Sequence, residues 1–313
     1  MIVVAPGKLV LTGAYAVLEG APAIVVAVDR LAACDTDRAP WSDPPRELRC
    51  AFGTGAAPYV DTSALYDGEN KLGLGSSAAA LVAALASRHA RRFECIASPS
   101  VRREIFFEAR AAHAEAQGGG SGIDVAASVW GGALRYRLRR TSRGEARPSI
   151  ASLALPSELK LAVFFGGTPA RTSDLLSAVD TLRVRKPLLH RGCMDELHAA
   201  AERAATSLER GRIDSFLLAV QNTRRGLARL GLAAEVPIVP PAFAEIAACA
   251  AMTGAVFLPS GAGGGDVGVF LGKREPSPEL LALAARRGMK RIPIGIDREG
   301  VRVAASALSR RAS

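Results

Sequence analysis

The run Lys71-Leu-Gly-Leu-Gly-Ser-Ser-Ala-Ala79 constrains this 313-residue chain more than any other segment, because two glycines and two serines stand directly before an Ala/Leu-rich helical stretch. Glycines let backbone N–H groups close on an anion, a helix N-terminus adds a favourable dipole, and serine hydroxyls reach phosphate oxygens or a metal ion. The same residues would also serve as a serine N-cap after a flexible loop, and the segment alone does not separate the two readings. Two other phosphate loops are excluded. No Gly-x-x-x-x-Gly-Lys-Ser/Thr occurs. Gly73-x-Gly75-x-x-Ala78 followed by Glu94 loosely matches a dinucleotide fingerprint, but the polar residues from Tyr66 to Lys71 cannot be the buried parallel strand that such a turn requires.

Three further segments carry chemistry. In Ala5-Pro6-Gly7-Lys8 a lysine opens an otherwise apolar strand; a buried ammonium needs a carboxylate or phosphate, although a lysine snorkelling at a strand end is the plainer reading of one such residue. Gly118-Gly-Gly-Ser-Gly-Ile-Asp124 sets an acid at the start of a short helix, either as an N-cap or as a carboxylate aimed at a nucleophile or at Lys8. Leu258-Pro-Ser-Gly-Ala-Gly-Gly-Gly-Asp266 has more glycine than a hairpin turn requires, which favours backbone wrapped around an anion.

Around these segments the chain reads as α/β. It is long enough for two packed lobes, 49% of its residues are hydrophobic, and the apolar runs are short and separated by Gly, Pro and charge. Strands are expected at Ile2 to Val4, Lys8 to Thr12 and Ala23 to Val28, then loops and edge strands from Asp35 to Gly68. Helices follow at Ser76 to Arg91, Val101 to Gln117 and Asp124 to Val129, and a strand begins at Ala133. A polar stretch from Ser142 to Pro156 precedes the β-type run Leu161 to Phe165, so the boundary is expected near residue 157, giving lobes 1–157 and 158–313. The second lobe alternates, with helices at Ser173 to Val184, Met194 to Glu209, Ile213 to Ala228, Pro241 to Met252 and Pro278 to Arg287, and strands at Val256 to Leu258, at Val267 to Leu271 and at the end.

The formal charge of +10 invites a nucleic-acid partner, but 34 of the 40 basic residues are scattered arginines, aromatics are 5%, and no nucleic-acid-binding module motif is present. Positive charge favours anionic small molecules instead. No uncharged apolar run reaches the roughly 18 residues of a membrane span, and Met1 to Val10, interrupted by Lys8, reads as a buried strand and not as a signal peptide. The five cysteines, far apart, read as buried thiols of a cytoplasmic protein.

Taken in order, Pro6-Gly7-Lys8 with Gly13-Ala14-Tyr15, Gly73 to Ala79, and Gly261 to Gly265 resemble the three motifs of the GHMP kinase superfamily over essentially the whole chain. Within it, Gly120-Ser-Gly-Ile-Asp124, Thr168-Pro-Ala-Arg171 and Pro259 to Asp266 look most like the phosphomevalonate kinases. Ala14, standing where many members carry an acid, tells against mevalonate kinases. The resemblance implies an α+β fold with an N-terminal lobe like ribosomal protein S5 domain 2 and a ferredoxin-like C-terminal lobe. It also implies transfer of phosphoryl from ATP to a small anionic acceptor, 5-phosphomevalonate first and mevalonate or another GHMP substrate second, by a monomer or homodimer. Lys8 and Asp124 would be catalytic, and Lys71, Gly73, Leu74, Gly75, Ser76, Ser77 and Ala78 would hold the nucleotide. Ser77 and Glu115 would hold Mg²⁺. Tyr15, Ser121, Gly122, Arg171, Ser260, Gly261, Ala262 and Gly263 would contact the acceptor, with Arg135 and Arg137 as further candidates for its phosphate or carboxylate.

Overall fold

A computed structural model describes residues 1–92, 95–140, 146–167, 172–265 and 267–304. The elements run β1 (Ile2–Thr12), β2 (Pro22–Asp35), α1 (Arg46–Phe52), β3 (Tyr59–Asp61), β4 (Tyr66–Asp67), β5 (Asn70–Lys71), α2 (Ser76–Ala90), α3 (Pro99–Gln117), α4 (Ile123–Trp130), β6 (Ala133–Arg140) and β7 (Ala146–Leu153). They continue with β8 (Lys160–Phe165), α5 (Thr172–Arg185), α6 (Pro187–Glu209), α7 (Ile213–Ala234), α8 (Pro241–Ala251), β9 (Val256–Pro259), β10 (Val267–Gly272), α9 (Pro278–Arg286), β11 (Lys290–Ile292) and β12 (Arg302–Val303). The class is α+β, as the family resemblance implied.

Two compact units emerge, and they are interleaved. The first comprises Met1–Lys8, Val26–Gly132 and the stretch from Gly295; the second comprises Leu9–Val25 and Ala133–Ile294. The polar segment that suggested a boundary near 157 is instead largely β7, an antiparallel partner of β6. One sheet has the strand order β12-β1-β2-β6-β7, with β3 on β2. β1 is one continuous strand where a break at Pro6-Gly7 was expected. Its backbone is satisfied by flanking elements: the Pro6 carbonyl accepts from the buried Ser128 hydroxyl at 2.7 Å and the Lys8 N–H donates to the Leu74 carbonyl at 2.8 Å. α1 was not foreseen, since Leu48 is its one buried residue and it has no apolar stripe to announce it.

In the first unit, α2 is buried almost all round through Ala78, Ala79 and Leu81–Ala86, and its small residues let α3 and α4 pack close. Phe106 of α3 meets Trp130 of α4 with ring centroids 4.8 Å apart. The exposed hairpin of β4 and β5 supplies the polar residues before the glycine-serine loop, so no buried parallel strand precedes it.

In the second unit the antiparallel sheet β11-β8-β10-β9 packs on α8 and α9 through Phe164, Phe243, Ile246, Phe257, Phe270 and Leu280. A second cluster joins Tyr15, Ala16 and Ala21 to Val179, Leu197 and Leu227 of the helical layer and to Ile238 in the connection between α7 and α8. Cys34 and Cys193 are buried as expected; Cys50 and Cys249 are only partly so, and Cys95 is exposed. No helix among the described residues is long and apolar enough to cross a membrane.

Phe257 is fully buried between Phe164, at 5.6 Å, and Phe243, at 5.3 Å. Phe257→Ala should cost about 3–5 kcal/mol. A Cβ at Gly268 would sit 2.2 Å from Phe257 Cζ, so Gly268→Ala should cost about 1–3 kcal/mol by overpacking. Urea midpoints followed by circular dichroism check both; unchanged midpoints would contradict this packing.

Candidate functional site in the first unit and the glycine loop of the second

Segment Pro6–Lys8 of β1 organises the first unit's site. On one side is the loop before α2. Gly75 is the N-cap of that helix in a left-handed conformation (φ 79°), and no side chain caps it. Ser76 and Ser77 are therefore its first helical residues and not its cap, which leaves first-turn N–H groups for an anion. A Cβ at Gly75 would come within 3.0 and 3.1 Å of Lys8 Cγ and Cε, so glycine is what lets the lysine stem lie over the loop. Lys8 is half-buried, and its Nζ is 3.5 Å from the Gly73 carbonyl. Leu74 and Ala78 turn their side chains into the core, so any contact they make with a nucleotide is through backbone; Lys71 is exposed.

On the other side of β1 is α4. Its N-cap is Gly122, again without a side-chain cap, so Asp124 is not a cap residue. Asp124 lies in the first turn with its side chain 23% exposed, and its Oδ1 accepts from the Val125 N–H at 3.1 Å. Its Oδ2 is 3.8 Å from His113 Nε2, a nitrogen that is also 3.3 Å from Ser77 Oγ. Gln117, one turn further along α3, places its amide nitrogen 3.0 Å from His113 Nε2 and 3.4 Å from Ser77 Oγ. One buried histidine thus lies between the hydroxyl of the loop, which it meets at hydrogen-bond distance, and the carboxylate of α4. Sequence reasoning missed His113 and Gln117; their signal was an i, i+4 polar pair on a helix ending in the glycine cluster. Ser121 accepts from the Ile123 N–H at 3.3 Å, inside the same loop as Gly122.

Glu115 is not brought to this site. It lies two positions from both His113 and Gln117, roughly 200° around α3, and is exposed. Ser77 therefore faces a histidine and an amide, whereas Mg²⁺ prefers carboxylate and water oxygens. No cluster of three His, Cys, Asp or Glu exists among the described residues. The residues around Ser77 do not make a magnesium site of their own, and no step below is routed through one.

In the second unit, Ser260 follows β9 and closes the turn to β10, its N–H donating to the Val267 carbonyl at 2.9 Å. Its hydroxyl accepts from the Val10 N–H at 2.9 Å. The Tyr15 hydroxyl donates to the Ala262 carbonyl at 2.6 Å, and burial pushes this phenol well above its usual pKa. Gly261 and Gly263 flank that carbonyl in the same loop. The connection is at once a hairpin turn and an ordered glycine loop. Ala14 is partly buried against the cluster that contains Tyr15. Arg135 and Arg137 are matched by acids of α6: Arg135 pairs with Glu209 at 2.5 Å, and Arg137 pairs with Glu202. Arg171 lies outside the described residues.

An uncapped glycine-serine helix start, a lysine laid across it and a carboxylate in the first turn of α4 are an arrangement with the chemistry to receive a phosphate group. No protein-family model matches the chain. It is 30% identical to the phosphomevalonate kinase of Streptomyces sp. (strain CL190) over 95% of its own length and 97% of that protein. Among solved structures it is similar to a Lin0012 protein from Listeria innocua, at 23% identity and a TM-score of 0.84 over 97% of this chain and 99% of that one. Streptococcus pneumoniae phosphomevalonate kinase in complex with phosphomevalonate and AMPPNP shares the fold, at 18% identity and a TM-score of 0.78 over 95% and 99%. The chain belongs to the GHMP kinases and is a phosphotransferase.

Ser128→Ala would leave the buried Pro6 carbonyl without its donor and should cost about 1–3 kcal/mol. Urea unfolding measures it, and an unchanged midpoint would show that α4 does not hold β1 in place.

Proposed function

We propose that this enzyme transfers the γ-phosphoryl group of ATP to 5-phosphomevalonate, giving 5-diphosphomevalonate and ADP, a step of the mevalonate route to isoprenoid precursors. The observation that carries the reading is the uncapped N-terminus of α2 beneath the Lys8 stem. The Streptomyces relative, a phosphomevalonate kinase matched over nearly its whole length, supports the choice of acceptor.

In this reading the nucleotide phosphates lie on the backbone N–H groups of Gly73 to Ser77, and Lys8 offsets the charge that two anionic substrates bring together. The acceptor is a phosphate monoester whose second pKa is about 6, so its attacking oxygen is already ionised at neutral pH. Asp124 then need not remove a proton; it orients Lys8 and the acceptor from the first turn of α4. Ser121 and Gly122 contact the acceptor from the loop before α4. Within the second unit, the Ser260 and Tyr15 hydrogen bonds fix the backbone of the loop Gly261 to Gly263.

ADP release from MgATP with 5-phosphomevalonate, mevalonate, homoserine and galactose tests the assignment: turnover is expected with 5-phosphomevalonate, and its absence with that acceptor would overturn the proposal. Lys8→Met should lower kcat by at least about a hundredfold, the scale of losing one well-placed electrostatic group. Asp124→Asn should lower it by less than about a hundredfold, because removing an essential general base typically costs 10²–10⁴. A larger Asp124→Asn loss would make this residue a base.

A further inference from the structure

Arg110 stands on the face of α3 that carries His113 and Gln117, at spacings of three and seven residues. Its aliphatic stem rests on Gly122: a Cβ there would meet Arg110 Cγ and Cδ at 2.9 Å and Nε at 3.3 Å. The Arg110 Nε is buried without a hydrogen-bond partner, and no carboxylate among the described residues pairs with the guanidinium. The Nε of Arg102, another partly buried arginine of α3, is likewise unmatched, but its Nη2 donates to the Glu299 carbonyl at 2.7 Å and approaches that of Val301 at 3.3 Å. Arg88, at the end of α2, has Glu108 at 2.7 Å.

An always-ionised group with a buried, unmatched N–H calls for an oxyanion. Arg110 is placed where one would arrive. Gly122, against which it lies, precedes Asp124 by two residues, and Asp124 is 3.8 Å from His113, the next residue along the same stripe of α3. A site that brings together two anionic substrates and keeps a carboxylate of its own needs more positive charge than Lys8 supplies. A guanidinium, with its planar fork of donors, suits a phosphate or carboxylate better than a lysine would.

We propose that Arg110 is the acceptor-binding cation of this site, its guanidinium taking an oxyanion of the acceptor, with Gly122 kept free of a side chain so that the arginine can lie there. The inference rests on the phosphotransfer reading above. Arg110→Gln should raise KM for 5-phosphomevalonate about ten- to hundredfold while leaving KM for ATP within about twofold. Arg110→Lys should fall between wild type and Arg110→Gln, because it keeps the charge and loses the fork.

Calorimetric Kd values for 5-phosphomevalonate and for mevalonate, measured without nucleotide, keep the test independent of turnover. Weakening confined to 5-phosphomevalonate assigns Arg110 to the phosphate, and equal weakening of both assigns it to the carboxylate. An unchanged Kd and KM for the acceptor in folded Arg110→Gln, or a rise in KM for ATP as large as that for the acceptor, would overturn the proposal. Wild-type protein that turns over no acceptor would instead overturn the phosphotransfer reading, and the Kd comparison would still decide whether Arg110 holds an oxyanion.

Discussion

The first unit is organised by the way three residues of β1 are gripped from both sides. The Pro6 carbonyl accepts from Ser128 of α4, the Lys8 N–H donates to the Leu74 carbonyl of the loop before α2, and Gly7 leaves no room for a side chain between them. A buried carbonyl and a buried N–H each require a partner. Because these two find theirs on different elements, the loop and the start of α4 are referred to one strand. The lysine, the uncapped helix start and Asp124 are thereby placed by one strand, and His113 lies between Ser77 and Asp124.

The same strand continues into the second unit, where Val10, two residues beyond Lys8, donates to Ser260. Tyr15, in the turn that follows, donates to Ala262. A glycine-rich connection would ordinarily be loose, because glycine loses the most backbone freedom on ordering. Here two side-chain hydrogen bonds, one from a buried tyrosine, restrict it. The burial that raises the Tyr15 pKa also makes its hydroxyl a dependable neutral donor at physiological pH.

Much of this was legible in the sequence, and what was missed has physical causes. Helix α2 was readable because glycine and serine precede an unbroken Ala/Leu run, and Asp124 because five glycines and serines isolate it before a short helix. The continuity of β1 was not: Pro6 and Gly7 read locally as a break, and the partners that make a strand possible come from residues 74 and 128. Assigning Leu9–Val25 to the second unit was equally out of reach, since it follows from Tyr15, Ala16 and Ala21 packing on helices some 160 residues later. Glu115 attracted attention as the nearest acid, but helical geometry turns it away and presents His113 and Gln117 instead. Arg135 and Arg137 looked available in sequence and are paired by acids of α6.

We propose that Lys8, the start of α2 and Asp124 form a single phosphate-transfer site. A crystal structure with AMPPNP and 5-phosphomevalonate tests it most directly. The account predicts nucleotide phosphates on the N–H groups of Gly73 to Ser77 and the acceptor phosphate against Lys8 and Asp124. A nucleotide bound away from this loop, or an acceptor phosphate remote from Lys8, would contradict it.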